Sequence, residues 1–502
     1  MNTDFIKTLV RRPIFWLAFL YVILMSWSGI HRLNLPDEKI PENKKSVFLN
    51  AFNGEKKLAR KIRVTYKEFN ADDTSDRLPV ILIHGSPGDA ENFDGFAKLV
   101  KNRRLIAVDL PGFGNSEKDI PDYSIYAHSK YIVELLDKLK IKQAHFVGFS
   151  LGSGVVLHIA DNSPDRVESV SMVAGIGVQE YEIFGNYYLN HFVHGVQLVF
   201  FWALKELTPN FGIFNGFVMP YARNFYDSDQ RPLRKIMQRI EKPLQILHGK
   251  DDPLVPVEAA REHARLVPQS EYIEMDDNHF FVFMRPKKMV EPLVDFWKRV
   301  ESGDAKTRIN SEPERILESQ KPFKEKIIKA VGPTAFVFFL LFLVIAFINE
   351  DLAFWLGGFF AAQGRFGLVF AIIACIFGSY LSVFLSILIG RKFGKRFPAV
   401  SELKDNFRDT IFGRKFMGFQ FVDYFHTGRT RKFFWRNLFS FLLASTLWTI
   451  VLTTATYFLV LGLMRIPLFD VTDTYLGLAF IAFAFLFFNS YRFFYRKTYN
   501  NK

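Results

Sequence analysis

The chain has 502 residues, enough for two or three domains, and carries a net charge of +13. Its single cysteine, Cys375, excludes a disulfide framework and a thiolate metal site. Residues 391–436 contain twelve Lys or Arg and four Asp or Glu, and this stretch, which holds +8 of the net charge, lies between two long apolar segments. Basic residues beside apolar spans are typical of membrane proteins, so the charge does not indicate a nucleic-acid-binding surface.

The first element along the chain is an apolar segment at residues 13–30, which has no charged residue and follows Arg11-Arg12. Its length suits one membrane helix, and no small-residue cleavage site follows it. We therefore expect residues 1–46 to form an N-terminal membrane anchor and connector rather than a cleaved signal peptide. A buried core helix is the alternative.

Residues 47–300 have the composition of a soluble domain. An amphipathic stretch at 124–139 predicts a helix, and short apolar runs predict strands at residues 80–84, 105–109, 145–149, 169–175 and 244–249. Strands that alternate with helices at this spacing predict an α/β fold, with a mostly parallel sheet covered on both faces.

After residue 300 the chain becomes polar and then strongly apolar. Residues 301–330 begin with a long polar stretch and are expected to form a linker. The apolar stretches within 331–502 lack charge, and each is long enough to span a bilayer; they cover residues 331–349, 366–390, 437–464 and 474–491. They predict an all-α multi-span membrane domain. The short, Gly-rich segment 352–364 fits a re-entrant element better than a span.

The motif with the clearest chemistry is Gly148-Phe149-Ser150-Leu151-Gly152, which matches G-x-S-x-G. An apolar strand runs into this motif and an apolar, helix-like stretch leaves it. A serine on such a strand-turn-helix elbow projects its hydroxyl from a strained backbone, and the glycines relieve crowding. Ser150 is therefore the predicted nucleophile.

A serine nucleophile needs a base, and that base needs an orienting carboxylate. Asp252 follows the strand at 244–249, and His279 lies on the loop after the next strand. Both fall in the chain order serine, acid, histidine that this kind of elbow requires. Asp251 is an alternative to Asp252 as the acid, and the alternative reading of His279 is a solvated loop histidine.

The tight turn at residues 84–88, with the sequence HGSPG, follows an early strand. Such a turn can direct a backbone N–H towards an oxyanion, and the residue after the nucleophile supplies a second donor. We assign these two donors to Ser86 and Leu151.

Five motifs occur in one order: HGSPG, DLPGFGNS (109–116), GFSLG, HGKDDPLVP (248–256) and DNHF (277–280). Over residues 60–300 the chain resembles the α/β-hydrolase family, in particular its esterase, lipase and epoxide-hydrolase-like members. The resemblance implies an eight-stranded sheet, the triad Ser150, Asp252 and His279, and no metal or organic cofactor. Serine at the elbow, where epoxide hydrolases carry aspartate, implies acyl transfer to water. Asn278 stands where the family usually has glycine, and we expect it to change the loop shape rather than the chemistry.

An aromatic-rich insertion at residues 176–242 separates the strand at 169–175 from the strand that carries the acid. In the resembled family such an insertion forms a cap over the active site. Its apolar residues must be covered by the core, by substrate or by lipid. A hydrophobic small-molecule or lipid ester substrate is one hypothesis, and ordinary packing of the cap is the other.

The C-terminal region resembles the DedA/VTT family of membrane proteins over residues 330–490. The resemblance rests on the acidic pair Glu350 and Asp351 before the Gly-rich segment, a span that ends in IGRKFG, and FHTGR at 425–429. It implies lipid handling and makes Glu350, Asp351 and Arg429 a candidate membrane-domain site. Ser379 replaces a common aspartate, and the proline of the family's arginine-proline signature is missing. A multi-helix anchor without transport is the alternative.

The expected function is that of a membrane-bound serine hydrolase that cleaves an ester or related acyl bond. The alternatives are a lipid transporter with a regulatory hydrolase domain and a binding scaffold with an inactive site, although the intact triad argues against the scaffold. The basic stretches at 321–329, 391–436 and 492–502 favour a cytoplasmic hydrolase domain, whereas Arg11-Arg12 favours an external one.

Overall fold

The computed structural model describes residues 13–36, 39–73, 75–182, 185–216, 218–323, 333–393 and 434–463. The chain divides into two compact units, which are Met1–Phe323 and Lys324–Lys502. The first unit contains the sheet, and the described part of the second unit is helical.

An eight-stranded sheet forms the centre of the first unit, in the spatial order β1-β2-β4-β3-β5-β6-β7-β8. The strands are β1 (Lys45–Asn53), β2 (Lys56–Phe69), β3 (Val80–Ile83), β4 (Leu105–Val108), β5 (Ala144–Phe149), β6 (Val167–Val173), β7 (Leu244–Gly249) and β8 (Glu271–Met275). The pairs β1–β2 and β2–β4 are antiparallel, and the pairs from β4 to β8 are parallel. The expected α/β fold with a mostly parallel, eight-stranded sheet is therefore present.

Helices connect the strands and cover the sheet. Those of the first unit are α1 (Pro13–Leu33), α2 (Asp94–Ala97), α3 (Ile125–Lys138), α4 (Leu151–Asn162), α5 (Tyr187–Leu207), α6 (Val218–Asp227), α7 (Arg231–Met237), α8 (Val257–Leu266), α9 (Phe281–Met284), α10 (Lys287–Glu301) and α11 (Pro313–Gln320). Helix α3 begins at the N-cap Ser124, whose hydroxyl accepts a hydrogen bond from the Ala127 N–H at 3.1 Å.

The core lies on both faces of the sheet. Successive residues of a strand point to opposite faces, yet all four residues of β3 and all four of β4 are buried. One cluster packs alternate strand residues such as Val80 and Leu82 against Phe96 and Trp297. Burial on both faces explains why these strands read as continuous apolar runs.

The strand register places the candidate site at one edge of the sheet. Ile83 pairs with Gly148, Phe149 with Val173, and Gly249 with Met275. The carboxyl ends of these parallel strands therefore meet at the same edge. The segments after β3, β5, β7 and β8, which carry the predicted site residues, all emerge there.

The aromatic-rich insertion, which we call the cap (residues 176–242), contains helices α5, α6 and α7 between β6 and β7. The segment expected to be a linker packs on the first unit as far as Phe323. In that segment the Ser319 carbonyl accepts a hydrogen bond from the Gln238 side chain at 2.8 Å, and the Glu318 carbonyl accepts one from Arg265 at 2.5 Å.

The described helices of the second unit are α12 (Pro333–Ile348), α13 (Glu350–Ala362), α14 (Leu368–Phe393) and α15 (Phe434–Leu463). Within the described residues, the helices long and apolar enough to cross a membrane are Phe15–Leu33, Leu368–Lys392 and Leu442–Leu461. Helix α12 has 16 described residues, and residues 352–362 of the predicted re-entrant segment lie in the 13-residue helix α13. The predicted span at 474–491 and Arg429 lie outside the described residues.

Candidate active site

Ser150 occupies the elbow, residues 148–152, between β5 and α4. Its backbone has φ 51° and ψ −117°, which is a strained conformation for a residue with a side chain. Backbone hydrogen bonds hold it: the Ser150 N–H donates to the Val173 carbonyl at 2.9 Å, and the Ser150 carbonyl accepts from the N–H groups of Ser153 at 3.0 Å and Ile176 at 3.2 Å. The strained backbone of Ser150 is thus held by its neighbours, directly before a helix N-terminus. This arrangement is typical of a nucleophile elbow.

The two glycines of the elbow are required by close backbone approach. A Cβ at Gly148 would lie 2.4 Å from the Gly152 carbonyl oxygen, and a Cβ at Gly152 would lie 2.3 Å from the Ile83 carbonyl oxygen. Backbone atoms cannot move aside as a flexible side chain can. The spacing of the motif therefore follows from the geometry of the turn.

Asp252 and His279 form a direct pair. The Asp252 Oδ2 lies 2.6 Å from the His279 Nδ1, and both side chains are buried. The other carboxylate oxygen, Oδ1, accepts hydrogen bonds from the Leu254 and Val255 N–H groups, each at 2.8 Å. Because a carboxylate only accepts, Nδ1 of His279 donates, and Nε2 is left to accept a proton.

The pair lies beside the elbow. The ring of Phe149, the residue before Ser150, has its centroid 5.1 Å from that of His279. Within the described residues the Ser150 hydroxyl and His279 are not hydrogen-bonded. Such contacts are often long in an enzyme without substrate and shorten only when substrate binds.

The neighbouring acid, Asp251, has a different environment. It is exposed, and its N–H donates to the Asp277 carbonyl at 3.0 Å. The structure thus brings Asp252, and not Asp251, to His279. On the histidine loop, the Asn278 side chain accepts a hydrogen bond from the Phe280 N–H at 2.9 Å and so closes a local turn.

A second histidine, His248, lies 3.4 Å from Asp252 Oδ2 through its Nε2. Burial lowers the pKa of His248, so its ring is neutral near pH 7. The same Nε2 lies 2.9 Å from the Val255 carbonyl, and a carbonyl only accepts, so this nitrogen donates there. His248 therefore adds no positive charge beside Asp252 and supports the loop that carries it.

The turn at residues 84–88 packs directly against Ser150, since a Cβ at Gly85 would lie 2.9 Å from the Ser150 Cβ. The Leu110 N–H donates to the His84 Nε2 at 3.0 Å, so the His84 Nδ1 carries the proton and donates to the Gly85 carbonyl at 2.6 Å. Burial lowers the pKa of His84 to about 4, which keeps this ring neutral while it holds the turn.

Each of the two predicted oxyanion donors directly follows one of the two residues of this contact in the sequence. Ser86 follows Gly85 on the turn, and its buried hydroxyl has no hydrogen-bond partner among the described residues. Leu151 is the first residue of α4, where the opening N–H groups of a helix have no intrahelical acceptor. Free donors at a helix N-terminus favour negative charge.

Asp109 and Lys44 form a buried ion pair beside the segment that follows the turn, and the sequence predicted a role for neither. Asp109 accepts hydrogen bonds from the Ala90 N–H at 2.8 Å, the Thr65 hydroxyl at 2.6 Å and Lys44 Nζ at 2.7 Å. Both charged side chains are almost fully buried. Asp109 belongs to the DLPGFGNS motif, which pointed to it, whereas Lys44 lies in the connector after α1 and carried no signal.

In the second unit, the acidic pair lies at the start of α13 and is buried. Glu350 accepts a hydrogen bond from the Ser379 hydroxyl at 2.8 Å, and Asp351 accepts one from Trp448 Nε1 at 3.1 Å. Ser379 is thus in contact with Glu350 of the acidic pair.

Comparison with known proteins finds similarity within the first unit. Residues 79–201 match the family described as the alpha/beta hydrolase fold. The chain is 29% identical over 233 residues to the dihydrolipoyllysine-residue acetyltransferase component of the acetoin cleaving system of Pseudomonas putida, covering 42% of this chain and 61% of that protein. It therefore spans about three fifths of that relative.

Two relatives are covered more completely. The chain is 27% identical over 251 residues to 2-hydroxymuconate semialdehyde hydrolase of Pseudomonas putida, covering 44% of this chain and 88% of that enzyme. It is also 27% identical over 279 residues to a monoacylglycerol lipase of Bos taurus, covering 46% of this chain and 78% of that enzyme. These matches account for less than half of this chain.

Proposed function

We propose that this chain, whose residues 79–201 match the alpha/beta hydrolase fold family, is a membrane-bound serine hydrolase that cleaves an ester or related acyl bond of a hydrophobic, lipid-like substrate. The observation that carries the proposal is the 2.6 Å contact between Asp252 and His279 beside the strained elbow of Ser150. No metal or organic cofactor takes part in the proposed reaction.

In the proposed reaction, His279 Nε2 removes the proton of the Ser150 hydroxyl while Oγ attacks the acyl carbon. Asp252 stabilises the imidazolium that forms, and the N–H groups of Ser86 and Leu151 stabilise the oxyanion. His279 then gives its proton to the leaving alcohol, and an acyl-serine remains. Water, deprotonated by His279, attacks this acyl group, releases the carboxylic acid and restores the serine.

The membrane assignment rests on the long apolar helices. The candidate spans Phe15–Leu33, Leu368–Lys392 and Leu442–Leu461 make the chain a multi-pass protein of the cytoplasmic membrane in this proposal. Basic residues concentrated at 391–436 favour the cytoplasmic side for the loop they occupy. With the predicted span at 331–349 as a further crossing, two spans separate this loop from the first unit, and we place the first unit on the same side. The named activity of the bovine relative, a monoacylglycerol lipase, favours a lipid ester.

The acidic pair of the second unit supports a second candidate function, a DedA/VTT-like role in lipid transport with the hydrolase domain as a regulator. The two carboxylates are buried and accept hydrogen bonds from Ser379 and Trp448. Carboxylates inside a membrane are energetically costly, and they therefore mark functional sites. Lipid flipping in liposomes that survives Ser150→Ala and is lost in Glu350→Gln would favour this function over ester hydrolysis.

The test of the first proposal is hydrolysis of nitrophenyl esters of increasing chain length by the purified full chain. We expect Ser150→Ala to lower kcat by about 10³-fold or more. Ser302→Ala, which changes an exposed serine at the end of α10, is the matched control and should retain wild-type activity. Full activity of Ser150→Ala would disprove the catalytic assignment, and hydrolysis confined to short esters would disprove the hydrophobic substrate.

A further inference from the structure

Helix α5 of the cap carries large apolar side chains on its outer surface. Six of them are between 49% and 67% exposed: Tyr188, Phe192, Val196, Val199, Phe200 and Trp202. Most follow one another at three- or four-residue intervals, so they form a stripe along one face of the helix. A contiguous exposed stripe of this kind marks a surface that contacts another apolar body.

The opposite face of α5 is polar and buried, which inverts the pattern of an ordinary cap helix. The fully buried residues of this helix are Asn190 and His194. Glu182 accepts a hydrogen bond from the Asn190 side chain at 3.2 Å and lies 2.8 Å from His194 Nε2. A helix that packs on a core in water buries its apolar face, whereas α5 buries polar groups and exposes apolar ones.

Helix α1, the candidate span of the first unit, packs beside the carboxyl end of α5. The Tyr21 hydroxyl donates to the Leu207 carbonyl at 2.8 Å, and the Phe211 N–H donates to the Ser28 hydroxyl at 2.8 Å. The Trp27 and Phe211 rings meet edge to face at 5.1 Å. Helix α1 also exposes apolar side chains, such as Leu17 and Val22, so the stripe of α5 ends next to a second apolar surface.

From this continuity we infer that the exposed stripe of α5 lies in the boundary between headgroups and acyl chains of a phospholipid bilayer, next to α1. A helix with one strongly apolar face adopts this position at a membrane surface. Aromatic side chains such as Tyr188 and Trp202 are the ones enriched at that level. The lipid surface, rather than a protein partner, fits because the stripe adjoins a helix long enough to span.

The membrane contact bears on substrate access, and this step rests on the proposed function. The first residue of the cap contacts the elbow, because the Ile176 N–H donates to the Ser150 carbonyl at 3.2 Å. A cap docked on the bilayer therefore brings the nucleophile edge of the sheet towards lipid. A lipid ester reaches Ser150 from the bilayer instead of from water.

The test places an environment-sensitive nitrobenzoxadiazole probe on α5 of the full chain. Phe192→Cys and Val199→Cys are each made with Cys375→Ala, which removes the native cysteine, and are reconstituted in liposomes of phosphatidylcholine and phosphatidylglycerol. Lys142→Cys is the control, because Lys142 is exposed at the amino-terminal edge of β5, the opposite edge from the elbow. Thermal unfolding verifies that each variant is folded.

We expect blue-shifted emission and quenching by nitroxide-labelled lipid at positions 192 and 199, with neither effect at position 142. Water-like emission at both α5 positions would overturn the inference. Blue-shifted emission without lipid quenching would overturn it as well, because it would show that protein, such as a second copy of the chain, covers the stripe. Lipid quenching in a protein that hydrolyses no ester would disprove the proposed function and leave the membrane contact intact.

Discussion

Replacing Asp252 by asparagine changes one atom of the carboxyl group that holds His279. The Oδ1 side of this group accepts two backbone hydrogen bonds, from Leu254 and Val255 at 2.8 Å each. The amide of an asparagine must keep its oxygen towards these donors, since its NH₂ group would leave both without an acceptor. The NH₂ group is then forced to face the His279 Nδ1.

That orientation reverses the tautomer of the histidine. With an NH₂ donor at 2.6 Å in place of a carboxylate oxygen, Nδ1 must accept, and the ring proton moves to Nε2. A protonated Nε2 cannot remove the proton of Ser150. We expect kcat to fall by about 10⁴-fold, which corresponds to about 5.5 kcal/mol of lost transition-state stabilisation.

The assay compares kcat on a nitrophenyl ester with the thermal unfolding temperature of the same preparation. Asp252→Asn should unfold close to wild type because the two backbone hydrogen bonds remain. Asp251→Asn is the matched control and should keep activity within about twofold, since an exposed side chain away from the histidine changes little. Activity of Asp252→Asn within tenfold of wild type, or a large loss in Asp251→Asn, would refute the assignment of the acid.

Three further predictions concern stability. Lys44→Met leaves the buried Asp109 carboxylate without its cation and should destabilise the first unit by about 3–5 kcal/mol in thermal unfolding, whereas Lys45→Met, at an exposed lysine, should be nearly neutral. Burial raises the pKa of Asp109, but hydrogen bonds from Lys44 and Thr65 outweigh this effect and lower the pKa. The ionised Asp109 therefore stabilises the folded state fully above about pH 4, and this contribution is lost as the pH falls further. A Tm that rises on acidification below pH 4 would contradict this prediction. Gly152→Ala drives a Cβ to 2.3 Å from the Ile83 carbonyl and should cost at least about 1–3 kcal/mol and most activity, while Gly216→Ala, with nothing within 4 Å, should leave the unfolding temperature unchanged.

The interior of the sheet could be predicted from the sequence because burial on both faces leaves a simple signal. The apolar runs at 80–84 and 244–249 correspond to β3 and β7 within one residue. The strands β1 and β2 gave no comparable signal. The first half of β2 is largely exposed and carries Lys and Arg, so neither an apolar run nor clean alternation marks it.

The site residues that belong to sequence motifs could be predicted, and those outside the motifs could not. The chain order of motifs pointed to Ser150, Asp252 and His279, and the structure places the last two in contact. Lys44 could not be found, because its partner Asp109 lies 65 positions along the chain and the pairing depends on how β2 and β4 meet. Contacts between distant segments leave no local pattern.

The sequence also could not predict which face of α5 in the cap is buried. The composition of residues 176–242 predicted an apolar surface. However, an apolar stripe that faces the core and one that faces outwards have the same helical period, so the sequence pattern does not distinguish them. The hydrogen bonds of Glu182 with Asn190 and His194 decide the matter, since they turn the polar side of α5 inwards.

The most direct test of a catalytic serine is labelling of the purified full chain by a fluorophosphonate probe, with Ser150→Ala and His279→Ala beside the wild type. Such a probe reacts only with a serine whose hydroxyl is activated by a base. We expect strong labelling of the wild type and none of either variant. A folded wild-type protein that takes up no probe, or labelling that persists in Ser150→Ala, would contradict it.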